Sequence, residues 1–379
     1  MRTLILTCNT GGGHNACASA MKEVFEARGD ECFVTEALGL VSEEYSKFIA
    51  DWHVRIYRYL PGFFRVGYRY SENHPALFDE RSLNYRTFAK GADKLYDIIK
   101  EKNVDTVVCA HVFAGLMLTE VMKRYAPAIV TSFLATDYTC SPGGKDIHAD
   151  RYFIPDEFCL EEFAEKGVPR EKIAVTGIPV RAMFRESLPK VEAKAHCGVG
   201  EDKKHLVVMS GSMGAGNAPM ERLAKDLDRS LDADTFITVV CGTNKKMEAA
   251  LAKTFADNPR FSVKGFVKDV STLLDSADLY LSKPGGISTA EAAVKGLPMA
   301  FIDAVAGCEI YNLEYFVSTG AAVADKDPAV LSEKCAALLA DPEKLSRMSR
   351  ASKGHARPDA AERIREILFA LHEKKEAGS

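Results

Sequence analysis

The sequence predicts an α/β protein of two doubly wound domains, each with a parallel sheet covered by helices on both faces. Two observations support this class. An apolar strand, a glycine-rich loop and a helix follow one another at the start of the chain, and the same order restarts near residue 205. The 379 residues are long for one domain and sufficient for two cores. Ligands of such sheets bind at the carboxyl ends of the strands, so the site is expected in a cleft between the domains.

The first domain is predicted over residues 1–178. Its first strand is the apolar run at residues 2–7, and a loop leads from it into a helix over about residues 15–28. Four further apolar runs are predicted as strands with helical stretches between them, at residues 31–35, 106–110, 129–134 and 151–154. The glycine and proline of Gly177-Ile178-Pro179-Val180 indicate a break in the chain at the end of this domain.

The second domain is predicted over residues 179–355. It repeats the strand, the glycine loop and the helix at residues 205–209, 210–217 and 218–231. Its other strands are predicted at residues 235–240, 261–264, 279–281 and 299–302. Helices are predicted near residues 328–339, 342–353 and 359–374, and the segment 356–379 is expected to pack back on the first domain.

Composition excludes several function classes. The net charge of −4 argues against a general nucleic-acid binder, which would be basic. Ten cysteines lie singly, without a C-x-x-C pair or zinc spacing, which is typical of a reducing compartment and of free, mostly buried thiols. The apolar start is too short for a signal peptide, and no apolar run approaches the ~18 residues of a membrane span. A cytoplasmic protein is therefore expected.

Two glycine loops occupy equivalent places in the two domains. Gly11-Gly12-Gly13-His14 follows the first strand, where its backbone can approach a ligand and the imidazole could act as a general base. The alternative is a tight turn whose histidine caps the helix. The loop Gly211-Ser212-Met213-Gly214-Ala215-Gly216 is either a second ligand loop or a connector, and neither loop matches the dinucleotide or ATP fingerprints.

The stretch from residue 265 to 312 predicts a phosphate site with groups that read hydroxyls. A short strand ends in Ser282-Lys283-Pro284-Gly285-Gly286, and a helix opens directly behind it with Glu291 one turn in. The free N–H groups and the positive dipole end of such a helix suit a phosphate. A second polar cluster, Cys308-Glu309 with Asn312, follows the next apolar run, so a nucleotide-sugar fits both features.

The segment from Trp52 to Ser71 is rich in arginine and aromatic residues and has no acidic residue. Such a segment suits an anionic lipid surface. The alternative is a helix whose stripe of Phe48, Ile49, Trp52, Ile56 and Leu60 packs into the core. The residues expected to face an acceptor or the membrane are Trp52, Arg55, Arg58, Phe63, Phe64, Arg65, Arg69 and His111.

Five stretches of the chain, taken together and in order, resemble one known group. They are the Gly-Gly-Gly-His motif, Thr136-Asp137, Gly177-Ile178-Pro179-Val180-Arg181, Gly211-Ser212-Met213-Gly214 and the 265–312 stretch. That group is the monogalactosyldiacylglycerol synthases and processive diacylglycerol glucosyltransferases of glycosyltransferase family 28, related to the peptidoglycan lipid I GlcNAc transferase. The resemblance implies a GT-B fold, with an N-terminal acceptor domain, a C-terminal UDP-sugar domain and a central cleft. It also implies inversion at the anomeric carbon without a metal.

The resemblance further implies a role for each matching residue. His14 would be the catalytic base, and Asp137 would orient or assist it. Phe266 and Val267 would hold the uracil, Glu291 the ribose hydroxyls, and Cys308, Glu309 and Asn312 the sugar. The diphosphate and the remaining donor contacts would fall to Gly12, Gly13, Arg181, Ser212, Met213, Gly214, Gly285, Gly286, Ile287, Ser288 and Thr289. Cys308 stands where related enzymes usually carry Gln, so both UDP-glucose and UDP-galactose remain as donors.

The predicted function is therefore an inverting hexosyl transfer from a UDP-sugar to a membrane lipid, diacylglycerol or its glycosylated form. The expected partners are the UDP-sugar, that lipid and an anionic membrane surface, with no nucleic acid and no cofactor or metal. The expected location is the cytoplasm, peripherally on the inner face of the cell membrane. The alternatives are a UDP-sugar epimerase or hydrolase on the same scaffold, and a non-catalytic nucleotide-sugar-binding protein.

Overall fold

The chain divides into two units. The computed structural model describes residues 1–9, 12–59, 61–209, 217–302 and 307–377. The first unit comprises Met1–Tyr57, Gly62–Ala182 and Arg357–Ser379, and the second comprises Arg58–Pro61 and Met183–Ala356. The main boundary therefore falls a few residues beyond the predicted end at residue 178.

The first unit alternates strands and helices from its start. In chain order its elements are β1 (Arg2–Thr7), α1 (Gly12–Ala27), β2 (Glu31–Glu36), α2 (Ala37–Val41), α3 (Glu43–Tyr59), α4 (Pro61–Asn73), α5 (Leu83–Ala89), α6 (Ala92–Glu101), β3 (Thr106–Cys109), α7 (Val112–Tyr125), β4 (Val130–Leu134), β5 (Arg151–Ile154), α8 (Leu160–Glu165) and β6 (Ile173–Val175).

The six strands of this unit form one parallel sheet in the order β2-β1-β3-β4-β5-β6. Strands β1, β3 and β4 are buried along nearly their whole length, and Leu4, Ile5 and Leu6 of β1 have no solvent exposure. Runs without polar alternation are what a sheet covered on both faces requires. The strand order reverses between β1 and β3, and a doubly wound sheet opens a crevice for ligands at that point.

The second unit repeats this architecture. Its elements are α9 (Lys190–Cys197), β7 (Lys204–Met209), α10 (Asn217–Ser230), β8 (Thr235–Val240), α11 (Lys245–Thr254), β9 (Phe261–Lys264), α12 (Val270–Ser276), β10 (Leu279–Ser282), α13 (Gly286–Val294), β11 (Met299–Ile302), α14 (Cys308–Ser318), β12 (Ala322–Asp325), α15 (Pro328–Leu339) and α16 (Pro342–Gly354). The last helix of the chain, α17 (Ala360–Ala377), belongs to the first unit.

The second sheet is also entirely parallel, in the order β12-β11-β10-β7-β8-β9. Its strand order reverses between β7 and β10, which brings the loop after β10 to the crevice. A continuous cluster that includes Leu206, Leu223, Ile237 and Leu281 fills the core beneath. The predicted fold class, two Rossmann-like doubly wound domains, is thus confirmed strand by strand within each unit.

The start of helix α1 and the strands β6 and β12 differ from the sequence predictions. Helix α1 begins at Gly12, so Gly12 and Gly13 are helical and do not belong to the loop. Two strands were not predicted, β6 and β12.

Within the described ranges, no helix is both long and apolar enough to cross a membrane.

Candidate active site

Helix α1 carries His14 in its first turn, directly behind the carboxyl end of β1. His111 follows β3, the neighbouring strand across the point where the strand order reverses. Because the two strands are parallel, both histidines lie at the same edge of the sheet. Their rings meet edge to face, with centroids 4.8 Å apart and an interplanar angle of 79°.

The turn after β4 completes this cluster. Thr136 Oγ1 lies 3.4 Å from His14 Nδ1 and 3.5 Å from Asp137 Oδ2. Thr136 is buried, whereas His14 and Asp137 are half-buried and remain partly open to solvent. Four polar residues that follow strands of the first sheet therefore come together: His14, His111, Thr136 and Asp137.

The surroundings of His14 favour its neutral form. Burial lowers the pKa of His14 below its ordinary value of 6.5, while the charge of Asp137 and a hydrogen bond with the backbone of Ala110 act in the opposite direction. A neutral imidazole next to a carboxylate can accept a proton at neutral pH. His14 is thus the group of this cluster that can accept a proton, with the charge of Asp137 nearby.

His111 caps a helix, which occupies one of its two ring nitrogens. Its Nδ1 accepts a hydrogen bond of 3.1 Å from the backbone N–H of Phe113, and so caps the N-terminus of α7. This capping fixes the imidazole ring that packs against His14. His111 is therefore placed beside the candidate base, with one ring nitrogen occupied.

The start of α13 is the candidate phosphate site of the second unit. Gly285 is the N-cap residue in extended conformation, and Gly286, Ile287 and Ser288 form the first turn. The N–H groups of a first helical turn have no intrahelical partner and point out of the helix. The Ser288 hydroxyl donates to the Gly285 carbonyl at 3.0 Å and is half-buried, so it remains at the surface of this turn.

Thr289 does not fit the predicted diphosphate contact. Its side chain has no exposure, its hydroxyl donates to the Gly286 carbonyl at 2.9 Å, and its N–H donates to the Gly285 carbonyl at 3.0 Å. Both donors of Thr289 are thus used inside the helix. The contact predicted for Thr289 is wrong for this structure.

A buried tyrosine lies beneath this turn and was not predicted. Burial raises the pKa of Tyr280 well above its usual range, while hydrogen bonds with Ser282 and Ser288 partly oppose this and the charge of Glu291 adds to it. Tyr280 and Ser282 share one face of β10, since strand residues two apart point the same way. The phenol thus links the strand to the helix face that bears Ser288 and the half-buried Glu291.

Asn312 supports the glycine turn from behind. Its side chain is fully buried, and its Nδ2 donates to the Pro284 carbonyl at 2.9 Å. The predicted sugar contact of Asn312 is therefore replaced by a bracing contact. Cys308 and Glu309 lie in the first turn of the same helix, both half-buried, behind Gly307 at a positive φ of 69°.

The other predicted donor residues are placed as follows. Phe266 and Val267 follow β9 at the carboxyl edge of the second sheet, and Phe266 is 66% exposed. Arg181 is half-buried at the end of the first unit. Ser212, Met213 and Gly214 lie outside the described residues.

The predicted lipid-facing segment forms α3 and α4, which meet near Pro61. Phe48 and Trp52 stack with ring centroids 6.1 Å apart, and they are 60% and 49% exposed. The alternative that these two rings pack into the core is therefore wrong. Phe63, Arg55 and Arg69 are exposed and Arg65 is half-buried, whereas the side chains of Arg58 and Phe64 lie outside the described set.

Asp226 and Asp228 of α10 each have an arginine partner. Asp226 lies 3.2 Å from Arg229, and Asp228 pairs with Arg260. Across the part of the chain that the structure describes, no group of three or more His, Cys, Asp or Glu could hold a metal ion.

Two family models match the chain, one in each unit. The model described as monogalactosyldiacylglycerol (MGDG) synthase matches residues 14–180. The model described as glycosyl transferases group 1 matches residues 201–355. The matched ranges begin at His14 in one case and just before β7 in the other.

Curated relatives extend this likeness over nearly the whole chain. The processive diacylglycerol beta-glucosyltransferase of Bacillus subtilis (strain 168) is 27% identical over 377 residues, covering 97% of this chain and 94% of that protein. The enzyme of the same name from Staphylococcus saprophyticus is 26% identical over 352 residues, covering 92% and 87%.

Solved structures share the fold. Acinetobacter baumannii MurG superposes with a TM-score of 0.65 at 15% identity, covering 97% of this chain and 99% of that one. The UDP-GlcNAc 2-epimerase of Neisseria meningitidis superposes with a TM-score of 0.66 at 12% identity, covering 98% and 100%. At these identities the likeness concerns the fold alone, and it confirms the GT-B class. With both family models and the relatives in agreement, the predicted resemblance to the monogalactosyldiacylglycerol synthases and processive diacylglycerol glucosyltransferases is confirmed, and the chain is a glycosyltransferase.

Proposed function

We propose that this glycosyltransferase moves a hexose from a UDP-sugar to diacylglycerol, with inversion at the anomeric carbon. The observation that carries the proposal is the cluster of His14, His111, Thr136 and Asp137 at one sheet edge. The names of the curated relatives support diacylglycerol as the acceptor and glucose as one candidate sugar. Galactose remains the second candidate.

His14 is the proposed general base. In the transfer step, its neutral imidazole accepts the proton of the glycerol hydroxyl as that oxygen bonds to the anomeric carbon. The bond between that carbon and the diphosphate oxygen breaks, and UDP leaves with the bonding electron pair. Attack from the side opposite the leaving group inverts the anomeric centre. The lowered pKa of His14 keeps the imidazole ready to accept a proton at neutral pH.

The first turn of α13 is the proposed stabiliser of the leaving diphosphate. As UDP departs, negative charge grows on its phosphate oxygens. The backbone N–H groups of Gly286, Ile287 and Ser288, together with the positive end of the helix, meet such charge without reorganisation. Exposed Phe266 supports a uracil contact, and half-buried Glu291 supports a contact with the ribose hydroxyls.

The proposed lipid-docking surface consists of Phe48, Trp52, Arg55, Phe63 and Arg69. Its rings are exposed on α3 and α4, and its guanidinium groups suit anionic headgroups. An acceptor that resides in a bilayer requires the enzyme to reach that surface. The docking surface therefore supports peripheral association with the membrane.

The test is incubation of the purified protein with vesicles of diacylglycerol and phosphatidylglycerol and, in turn, UDP-glucose, UDP-galactose and UDP-GlcNAc. The expected product is a hexosyldiacylglycerol, detected by mass spectrometry, with a β-anomeric proton in its NMR spectrum when the donor is α-linked. His14→Ala is expected to lower turnover by about 100- to 10,000-fold.

Four outcomes would contradict the proposal. An α-anomeric product would exclude inversion, and free sugar or an epimer formed without lipid would identify a hydrolase or an epimerase. UDP binding without transfer to any lipid, including whole lipid extracts, would identify a non-catalytic binding protein. Near-normal turnover of a folded His14→Ala variant would remove His14 from the role of base.

A further inference from the structure

Glu36 ends β2 and makes four hydrogen bonds to three different segments. Its Oε1 accepts from the N–H groups of Leu38 at 3.1 Å and Asn9 at 3.4 Å. Its Oε2 accepts from the N–H of Gly39 and the hydroxyl of Ser46, both at 2.7 Å. One carboxylate thus joins the loop after β1, the short helix α2 and the start of α3.

The backbone around Glu36 is shaped to receive this carboxylate. A Cβ atom added at Gly39 would lie 3.2 Å from Glu36 Oε2, so a larger residue there would crowd the hydrogen bond. Ser46 is 8% exposed and places its hydroxyl against the same oxygen. The carboxylate is therefore held in one orientation by groups on both sides.

The contact with Asn9 leads directly to His14. The Asn9 side-chain oxygen accepts a hydrogen bond of 3.1 Å from Asn15 Nδ2, and Asn15 adjoins His14 in the first turn of α1. The end of β1 and the start of α1 are thus clamped together, and Glu36 holds the β1 side of the clamp.

We propose that Glu36 is a positioning residue for the transfer reaction, which acts through the Asn9–Asn15 clamp to hold His14 in its half-buried place. The inference rests on the proposed function, because it assumes that His14 performs the proton transfer. Through Ser46, the same carboxylate fixes α3, the helix that presents Phe48 and Trp52 of the lipid-docking surface. The Glu36 carboxylate therefore holds both the loop before His14 and helix α3 in place.

The test compares Glu36→Ala, Glu36→Gln and Asn15→Ala with the control Glu31→Gln. Glu31 begins the same strand, and its carboxylate pairs with Arg2 at the protein surface. Two quantities are measured: the steady-state kcat with diacylglycerol and UDP-glucose or UDP-galactose, and the pKa of His14 by NMR of histidine-labelled protein. A His14→Gln sample assigns the His14 resonance.

Displacement of the base is expected to lower kcat of Glu36→Ala and Asn15→Ala by about 10- to 100-fold. The affinity for UDP is expected to stay unchanged. The pKa of His14 is expected to rise toward 6.5 as the ring leaves its buried place, while Asp137 and His111 remain as its neighbours. Glu36→Gln keeps one oxygen as an acceptor and replaces the other by an amide donor, so it is expected to restore only part of the activity. Glu31→Gln is expected to match the native protein.

The inference is overturned if folded Glu36→Ala and Asn15→Ala both keep the native kcat and the native pKa of His14. Should Glu36→Ala fail to fold, Asn15→Ala decides alone, because Asn15 is exposed and caps nothing in the core. Should the native protein transfer no sugar, the proposed function fails, and the NMR titration still decides whether the clamp positions His14.

Discussion

At the scale of single residues, the chemistry of the site depends on how His14 is charged. Its ring is half-buried against His111 and lies within reach of Thr136, and burial is the largest influence on its pKa. Asp137 opposes that influence because a nearby negative charge favours the imidazolium. The carboxylate therefore makes His14 a stronger base than the same ring would be alone.

The first prediction concerns Asp137→Asn. Removal of the charge is expected to lower the pKa of His14 further, so the acid limb of the profile of kcat/KM against pH moves to lower pH. The weaker base is expected to lower kcat at pH 8 by roughly 10-fold. Steady-state rates between pH 5 and 9 check both effects.

A limb that stays in place or moves to higher pH would contradict the electrostatic role of Asp137. His74→Gln serves as a control, because His74 is an exposed histidine that stacks on Tyr70. Its limb is expected to coincide with that of the native protein.

At the scale of elements, the start of α13 is held by the helix that follows it in the chain. Asn312 lies one turn inside α14 and donates to the Pro284 carbonyl, which precedes the N-cap Gly285. The turn after β10 is thus fixed from both its strand and its neighbouring helix. This support holds the start of α13, where the N–H groups of Gly286, Ile287 and Ser288 point out of the first turn.

The second prediction is that Asn312→Ala weakens the binding of UDP itself by roughly 10-fold, because a looser turn no longer directs its N–H groups at the diphosphate. The variant also leaves the Pro284 carbonyl unpaired, at a cost of about 1–3 kcal/mol in the free energy of unfolding. Calorimetric titration with UDP and urea denaturation measure the two effects.

Glu309→Gln is the comparison, since Glu309 lies on the same helix but is predicted to contact the sugar. It is expected to keep the native affinity for UDP while it changes the preference between UDP-glucose and UDP-galactose. Equal affinity of Asn312→Ala and the native protein for UDP would rule out the bracing role.

The elements also show how far the sequence predicts the fold. Every buried strand of both sheets was predicted, because continuous apolar runs such as residues 235–240 mark a sheet covered on both faces. The missed strands β6 and β12 are edge strands of three and four residues, mostly half-buried, and so lack such a run. Helix α1 was predicted to begin too late because glycine has a low helix propensity, whereas the structure places Gly12 and Gly13 in its first turn.

The site was predicted to a similar extent. His14 and Thr136-Asp137 could be brought together because the carboxyl ends of parallel strands share one edge. Thr289 and Asn312 were misassigned because a motif does not reveal which way a side chain turns. Glu36 was missed because its partners, Asn9 and Ser46, meet only once α2 and α3 are folded; its one sequence signal is a carboxylate at a strand end directly before a helix.

At the scale of the whole molecule, the core of the second unit contains a histidine that limits stability in acid. His205 has no exposure; its Nδ1 lies 2.9 Å from Ser276 Oγ and its Nε2 lies 2.8 Å from Thr238 Oγ1. The Ser276 hydroxyl donates to the Leu273 carbonyl, so Nδ1 carries the proton and Nε2 accepts from Thr238. Burial lowers the pKa of His205 to about 4.

The third prediction follows from this shift. In the unfolded chain His205 takes up a proton near its ordinary pKa of 6.5, while in the folded protein it stays neutral until about pH 4. The contribution of His205 to stability is therefore complete above pH 6.5 and is lost as the pH falls toward 4, by about 3 kcal/mol. Urea denaturation at pH 7 and pH 4.5 measures the loss.

His205→Asn keeps an amide donor for Ser276 and cannot be protonated. Its free energy of unfolding is expected to fall less between the two pH values than that of the native protein, although it is lower at pH 7. Parallel losses in the two proteins would show that another group sets the acid limit.

The return of α17 to the first unit has a consequence for synthesis on the ribosome. This helix packs against α1, and its Arg365 binds the buried carboxylate of Asp30 at 2.6 Å. The first unit therefore cannot be completed when its own strands emerge; it must wait until the whole second unit has been translated, on the order of ten seconds later. During that interval α1, the helix that carries His14, lacks the helix that covers one of its sides in the finished protein.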